Sequence, residues 1–165
     1  MKELNEVLSE TDEATEQLEN MARQIVSSYS AEVDSIIQHV SDHVNELNND
    51  SLRALVSDLS FKAYSLSEAK EYSTLKSQIS ETLMKEQQAI QFNTSEGTVD
   101  VRKNISLLNT QNEQLVRMLY DTVSGLLKVK LDEVHRIVDT LKTVILSRNT
   151  EARINADIND TKVGI

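Results

Sequence analysis

Between Val101 and Asn149 the apolar residues return in alternating steps of four and three, with no proline and with Gly125 as the only glycine. That spacing keeps one face of an α-helix apolar and lets helices wind around one another. Val101, Ile105, Leu108, Leu115 and Leu119 form a first run, in which polar Asn112 takes one turn of the seam. Leu127, Leu131, Val134, Val138, Leu141 and Ile145 form a second. Between them Leu119, Val123, Leu127 and Leu131 are spaced by fours, a stutter that locally unwinds a supercoil. Gly125 lies inside the stutter. A helix-interior glycine costs about 1 kcal/mol relative to alanine. Close packing against a neighbouring helix is the expected reason for it, with a hinge as the alternative. Leu107, Val116, Met118, Leu126, Val129, Ile137, Val144 and Leu146 widen the stripe, so it is expected to face at least two other helices. Asn112 is read as a wet interruption of the seam.

The rest of the chain supports an all-α fold. It has no proline, no cysteine, no tryptophan and three glycines in 165 residues. Turn-rich β and α/β folds need more punctuation than that. The expected fold is three long antiparallel helices, an elongated coiled-coil-like bundle completed by self-association or within one chain, over about 3–47, 52–92 and 101–150. Residues 1–150 form a single domain in this reading, followed by a frayed tail over 151–165. In the first helix Ala14, Leu18, Met21, Ile25, Tyr29, Val33 and Val40 share a face. Ser27, Ser28 and Ser30 are a candidate bend. Asn48-Asn49-Asp50-Ser51 is the first breaker, with Asp50 or Ser51 expected to cap the next helix. Leu52, Leu55, Val56, Leu59, Ala63 and Leu66 open the second helix cleanly. Tyr72, Leu75, Ile79, Leu83, Ala89 and Ile90 continue its face more weakly. Ser65-Leu66-Ser67-Glu68 is a candidate start of a new helix and so a candidate kink. Phe61, Tyr64 and Phe92 are expected in the core or as anchors at helix ends. Gly97 marks the second turn, and Asp100 is the expected cap of the third helix.

The formal net charge of −10 is unevenly spread. Residues 1–50 carry two basic residues against twelve acidic ones, whereas 101–165 carry ten basic against eight acidic. An acidic segment repels phosphates and attracts basic surfaces, so nucleic-acid binding is not expected through residues 1–50. Arg117, Lys128, Lys130, Arg136, Lys142, Arg148 and Arg153 could form a phosphate-contacting stripe. They alternate with acids, which points instead to solubility and to ion pairs with the acidic first helix. No membrane span and no secretory signal are expected, which places the chain in the cytoplasm.

Site chemistry is sparse. His39 and His43 stand at i and i+4, with Asp42, Glu46 and His135 as further conceivable ligands. The Glu-x-x-His pairs of di-iron bundles are missing, so no metal site is expected. The isolated glycines make no phosphate loop, and no nucleophile motif is present. No catalytic residue and no cofactor-binding residue is therefore assigned, and the protein is expected not to be an enzyme. The expected function is that of a non-enzymatic helical assembly or adaptor protein acting through protein–protein contacts, with itself or with other proteins. Two alternatives are an acidic regulator or inhibitor of a nucleic-acid-handling protein, and a nucleic-acid-associated oligomer of the viral packaging or replication type.

Overall fold

A computed structural model describes the backbone of residues 4–163 and the side chains of residues 10–156. The chain is all-helical, with no strand among the described residues. There are four helices among those residues rather than three: α1 (Leu4–His43), α2 (Asn49–Thr94), α3 (Val99–Leu108) and α4 (Gln111–Val163). The helix expected over 101–150 is thus two elements. Asn109 and Thr110 close α3 with a tight turn. The Thr110 N–H bonds the Leu107 carbonyl at 3.3 Å, and the Thr110 hydroxyl donates to the carbonyls of Ser106 and Leu107 at 3.1 and 3.2 Å. A side chain that satisfies the last carbonyls of a helix lets the helix stop there. The sequence signal is the polar run Asn109–Gln114, of which Asn112 is only one member. At the other end α4 continues to Val163, through the segment read as a fraying tail; Gly164 and Ile165 lie outside the described residues.

The helix starts also differ in detail. Asn48, not Asp50 or Ser51, opens α2: its side-chain oxygen accepts from the Ser51 N–H at 2.8 Å. Thr98, not Asp100, is the N-cap of α3, with Asp100 in the first turn beside the positive end of the helix. Gly97 precedes it at φ 112°, a conformation that side chains with a Cβ rarely adopt. The serines at 27–30 do not break α1. Ser28 donates to the Ile25 carbonyl at 2.6 Å and Ser30 to the Asp34 carboxylate at 2.8 Å, so both hydroxyls are satisfied on the helix itself. Similarly, α2 passes through 65–68 without interruption.

The chain divides into two compact units. Unit 1 comprises Met1–Tyr29 and Ser67–Val129; unit 2 comprises Ser30–Leu66 and Lys130–Ile165. Unit 2 is built as the heptad pattern predicts. Val33 and Val40 of α1, Leu52, Leu59, Ala63 and Leu66 of α2, and Leu131, Val134, Val138 and Leu141 of α4 are all buried. Within this unit α2 runs opposite to α4: Asn49 donates to Asn149 at 2.9 Å, and Ser60 and Ala63 share a cleft with His135 and Val138. Polar groups tie the helices at its edges. Lys62 of α2 pairs with Glu32 of α1, and Lys130 of α4 pairs with Asp34 of α1 at 2.7 Å. Of the two, the Lys130–Asp34 pair joins the acidic first helix to a cation of the stripe read over 117–153, as the charge distribution anticipates.

Candidate functional site

Unit 1 inverts the arrangement of unit 2. Its buried side chains include five hydroxyl residues: Ser73, Ser77 and Ser80 of α2, Ser106 of α3, and Thr110 in the turn. Among the residues whose side chains are described, unit 2 buries ten apolar residues and one hydroxyl residue, Ser30, whereas unit 1 buries Ala22, Val26, Ala69, Val123 and Leu127 beside its five hydroxyls. Each hydroxyl has a partner, as buried polar groups must. Ser73 donates to the Ala69 carbonyl at 2.8 Å, Ser77 to the Asp121 carboxylate at 2.5 Å, and Ser80 to the Glu113 carbonyl at 2.8 Å. Ser106 donates to the Gln88 carbonyl at 3.0 Å, while the Gln88 amide donates to Thr110 at 3.1 Å. Thr74 of α2 and Ser124 of α4 bond at 2.8 Å. Here α2 meets α3 and α4 through a polar seam of small side chains.

Many of the large apolar side chains of unit 1 are exposed. Nineteen large apolar residues are exposed among those described, and fifteen of them belong to unit 1. On α2, Tyr72, Leu75, Ile79, Leu83 and Ile90 are 48–52% exposed. These residues were expected to extend the inward face of the helix; they stand beside it, because the serines occupy the inward positions. On α1 the buried face is Ala22 and Val26, one residue on from the expected Met21 and Ile25, and Met21 and Tyr29 are about half exposed. The first heptad run fails in the same way: Val101, Leu108 and Leu115 are 47%, 63% and 54% exposed. Ala14, Gln17, Leu18 and Met21 of α1 line an open groove of about 280 Å³ with Leu115, Val116 and Leu119 of α4. In unit 2 Phe61 is 70% exposed and Tyr64 is 64% exposed, which removes both from the expected core. Phe92 is half-buried under the Arg102 guanidinium, 4.9 Å from its ring centre.

Searches against protein-family models, curated proteins and solved structures found no match. The function is therefore read from the arrangement of side chains alone.

Electrostatics frames the exposed face. The Lys76 ammonium bonds the Tyr120 hydroxyl at 2.9 Å and lies 4.7 and 4.6 Å from the rings of Tyr72 and Tyr120. The hydrogen bond to Tyr120 is the main cause that pushes the Lys76 pKa up, against the effect of burial. Lys76 thereby fixes Tyr72 at the edge of the apolar stripe. Glu81 is held below the usual carboxylate range by its bond to Lys85 and by the nearby Arg117 charge. In unit 2 the Glu32 carboxyl is lowered, and the Lys62 ammonium raised, by their mutual bond. Burial works against the Lys130 ammonium, but its bonds to Asp34 and Glu133 outweigh it and push its pKa up.

The basic residues of the former third helix do not form one open stripe. Arg117 pairs with Glu81 and Asp121, Lys130 with Asp34 and Glu133, and Lys142 with Asp139. The Arg148 guanidinium donates to the backbone carbonyls of Val44, Asn45 and Leu47. The His39 and His43 rings lie 5.1 Å apart, tilted by 47°, and His43 lies 3.2 Å from Glu46. Among the described residues no group of three potential ligands converges on a metal position. No described helix is long and apolar enough to cross a membrane.

Gly125 is not a packing contact. A Cβ built at this position meets nothing within 4 Å. Gly125→Ala is expected to raise stability by about 1 kcal/mol through helix propensity alone, read as a higher urea midpoint at unchanged slope. A lower midpoint would mean that something covers this face in solution.

Proposed function

We propose that this chain is a non-enzymatic helical assembly protein that acts through protein–protein contacts made by unit 1. The observation that carries the reading is the arrangement just described: five small hydroxyl residues are buried in unit 1, while fifteen of its large apolar residues, leucines, isoleucines and valines among them, are exposed. Exposed apolar residues are ordinary when scattered, but contiguous stripes mark interaction surfaces. Covering them removes about 25 cal/mol of free energy per Å² of apolar surface, a gain that the polar seam of unit 1 leaves unused within one chain. The finer reading is of long antiparallel helices in a coiled-coil-like bundle whose unfinished core is completed by association. The nucleic-acid reading has less support, since several of the cations it would use are engaged in ion pairs or with backbone carbonyls.

Absolute mass in solution tests the proposal, by light scattering after size exclusion across a concentration series at low and high salt. A dimer or larger assembly that persists at high salt is expected, because apolar contacts are not screened. A monomer under all conditions would count against self-assembly and leave only foreign partners for the apolar face.

A further inference from the structure

The exposed stripe of α2 has a symmetry that bears on what covers it. Its positions are Glu68, Tyr72, Leu75, Ile79, Leu83, Glu86 and Ile90, all exposed. The steps between them are four, three, four, four, three and four, the same read from either end. A two-fold axis through Ile79 maps these positions onto themselves. It sets Ile79 against Ile79, Leu75 against Leu83, and Tyr72 against Glu86 of a second copy. An interface that uses one patch on both copies requires this kind of self-complementarity.

From this symmetry we propose that unit 1 docks a second copy of this chain, α2 against α2, antiparallel about Ile79. This deepens the assembly reading and rests on it. The charges favour this direction over the parallel one. Parallel pairing sets Glu86 beside Glu86 and Glu68 beside Glu68 on the seam, and like charges facing one another are destabilising. Antiparallel pairing sets each glutamate against a residue it does not repel. The Tyr72 hydroxyl, carried by a ring that Lys76 holds in place, can donate to the Glu86 carboxylate of the second copy. At the margins Glu71 meets Gln87 and Lys76 meets Thr82, so no like charges oppose. The central steps of four keep the seam locally straight rather than supercoiled.

From Tyr72 to Ile90 the stripe runs roughly 27 Å at 1.5 Å per residue. One helix face of that length lies at the small end of specific interfaces, so the expected dimer is concentration-dependent. The chain has no cysteine of its own, which permits a clean test. Ile79→Cys in the full chain is expected to form an intermolecular disulfide under mild oxidation. Glu86→Cys is expected not to, because the two copies of position 86 would stand roughly 21 Å apart along the axis, against the ~7 Å that a disulfide spans between Cα atoms. Ile79→Glu and Ile79→Lys should each be monomeric at concentrations where the parent is mostly dimer, with unchanged helical circular dichroism. Mixing the two should restore the dimer by opposing their charges at the axis. Equal bridging from positions 79 and 86 would overturn the antiparallel pairing. A dimer that survives both Ile79 substitutions and does not bridge at 79 would overturn this face while leaving assembly standing. A parent chain that stays monomeric would remove both.

Discussion

Leu141→Ala is expected to lower stability by about 2–5 kcal/mol, whereas Leu108→Ala should cost well under 1 kcal/mol. The two residues hold equivalent places in the heptad pattern, and sequence alone ranks them as equals. Leu141 is fully buried in unit 2, among the leucines and valines of α1, α2 and α4; Leu108 is 63% exposed on α3 in unit 1. Truncating the first removes its apolar surface from a packed interior and leaves a cavity. Truncating the second removes surface that water already reaches. Urea denaturation followed by circular dichroism separates them directly, at a protein concentration low enough to keep any assembly dissociated. If Leu108→Ala proves as costly as Leu141→Ala under those conditions, α3 is covered within the chain and the inverted character of unit 1 is lost. If its cost appears only at high concentration, Leu108 belongs to a contact between chains.

The same pairing shows what could be read from sequence and what could not. The all-helical class followed from missing punctuation and from periodicity, both local properties of the chain. The second heptad run, from Leu131 to Leu141, was legible because within unit 2 α2 answers it with an apolar face of its own, Leu52, Leu59 and Leu66. The first run was misleading because its neighbour on α2 does not answer. Ser73, Ser77 and Ser80 turn inward there, and a period in one helix cannot report the partner of another. Apolar spacing marks a face that is to be buried, and it is silent on whether the cover comes from the same chain. The break at Asn109–Thr110 was visible as a run of six polar residues, but it was masked by the regular apolar steps on either side. Gly125 was misread for a related reason: a packing contact is a tertiary fact, and only the empty space around its missing Cβ decides the matter.

Arg148 carries the second large effect. On sequence it was one of several cations at helical spacing, with an acidic helix or a phosphate backbone as its natural counterpart. In unit 2 its partners are neutral. One guanidinium nitrogen donates to the Leu47 carbonyl, and another to the carbonyls of Val44 and Asn45 at 3.1 and 3.3 Å. These carbonyls lie in the turn just beyond the end of α1 at His43, beside the end of the helix that carries partial negative charge. A planar, permanently charged fork satisfies several of them at once and anchors the turn of α1 to α4. Arg148→Ala is expected to cost about 1.5–3 kcal/mol, the range for hydrogen bonds to a charged group whose removal leaves partners unsatisfied. Arg148→Lys should recover less than half of that, because a single ammonium on a flexible stem cannot reach three carbonyls in this geometry. An ion-pair role predicts the opposite pattern, with lysine rescuing most of the loss and added salt weakening the parent. Denaturation of the three proteins at low and high salt distinguishes the cases: the turn-anchoring role requires a deficit in Arg148→Lys that is largely independent of ionic strength.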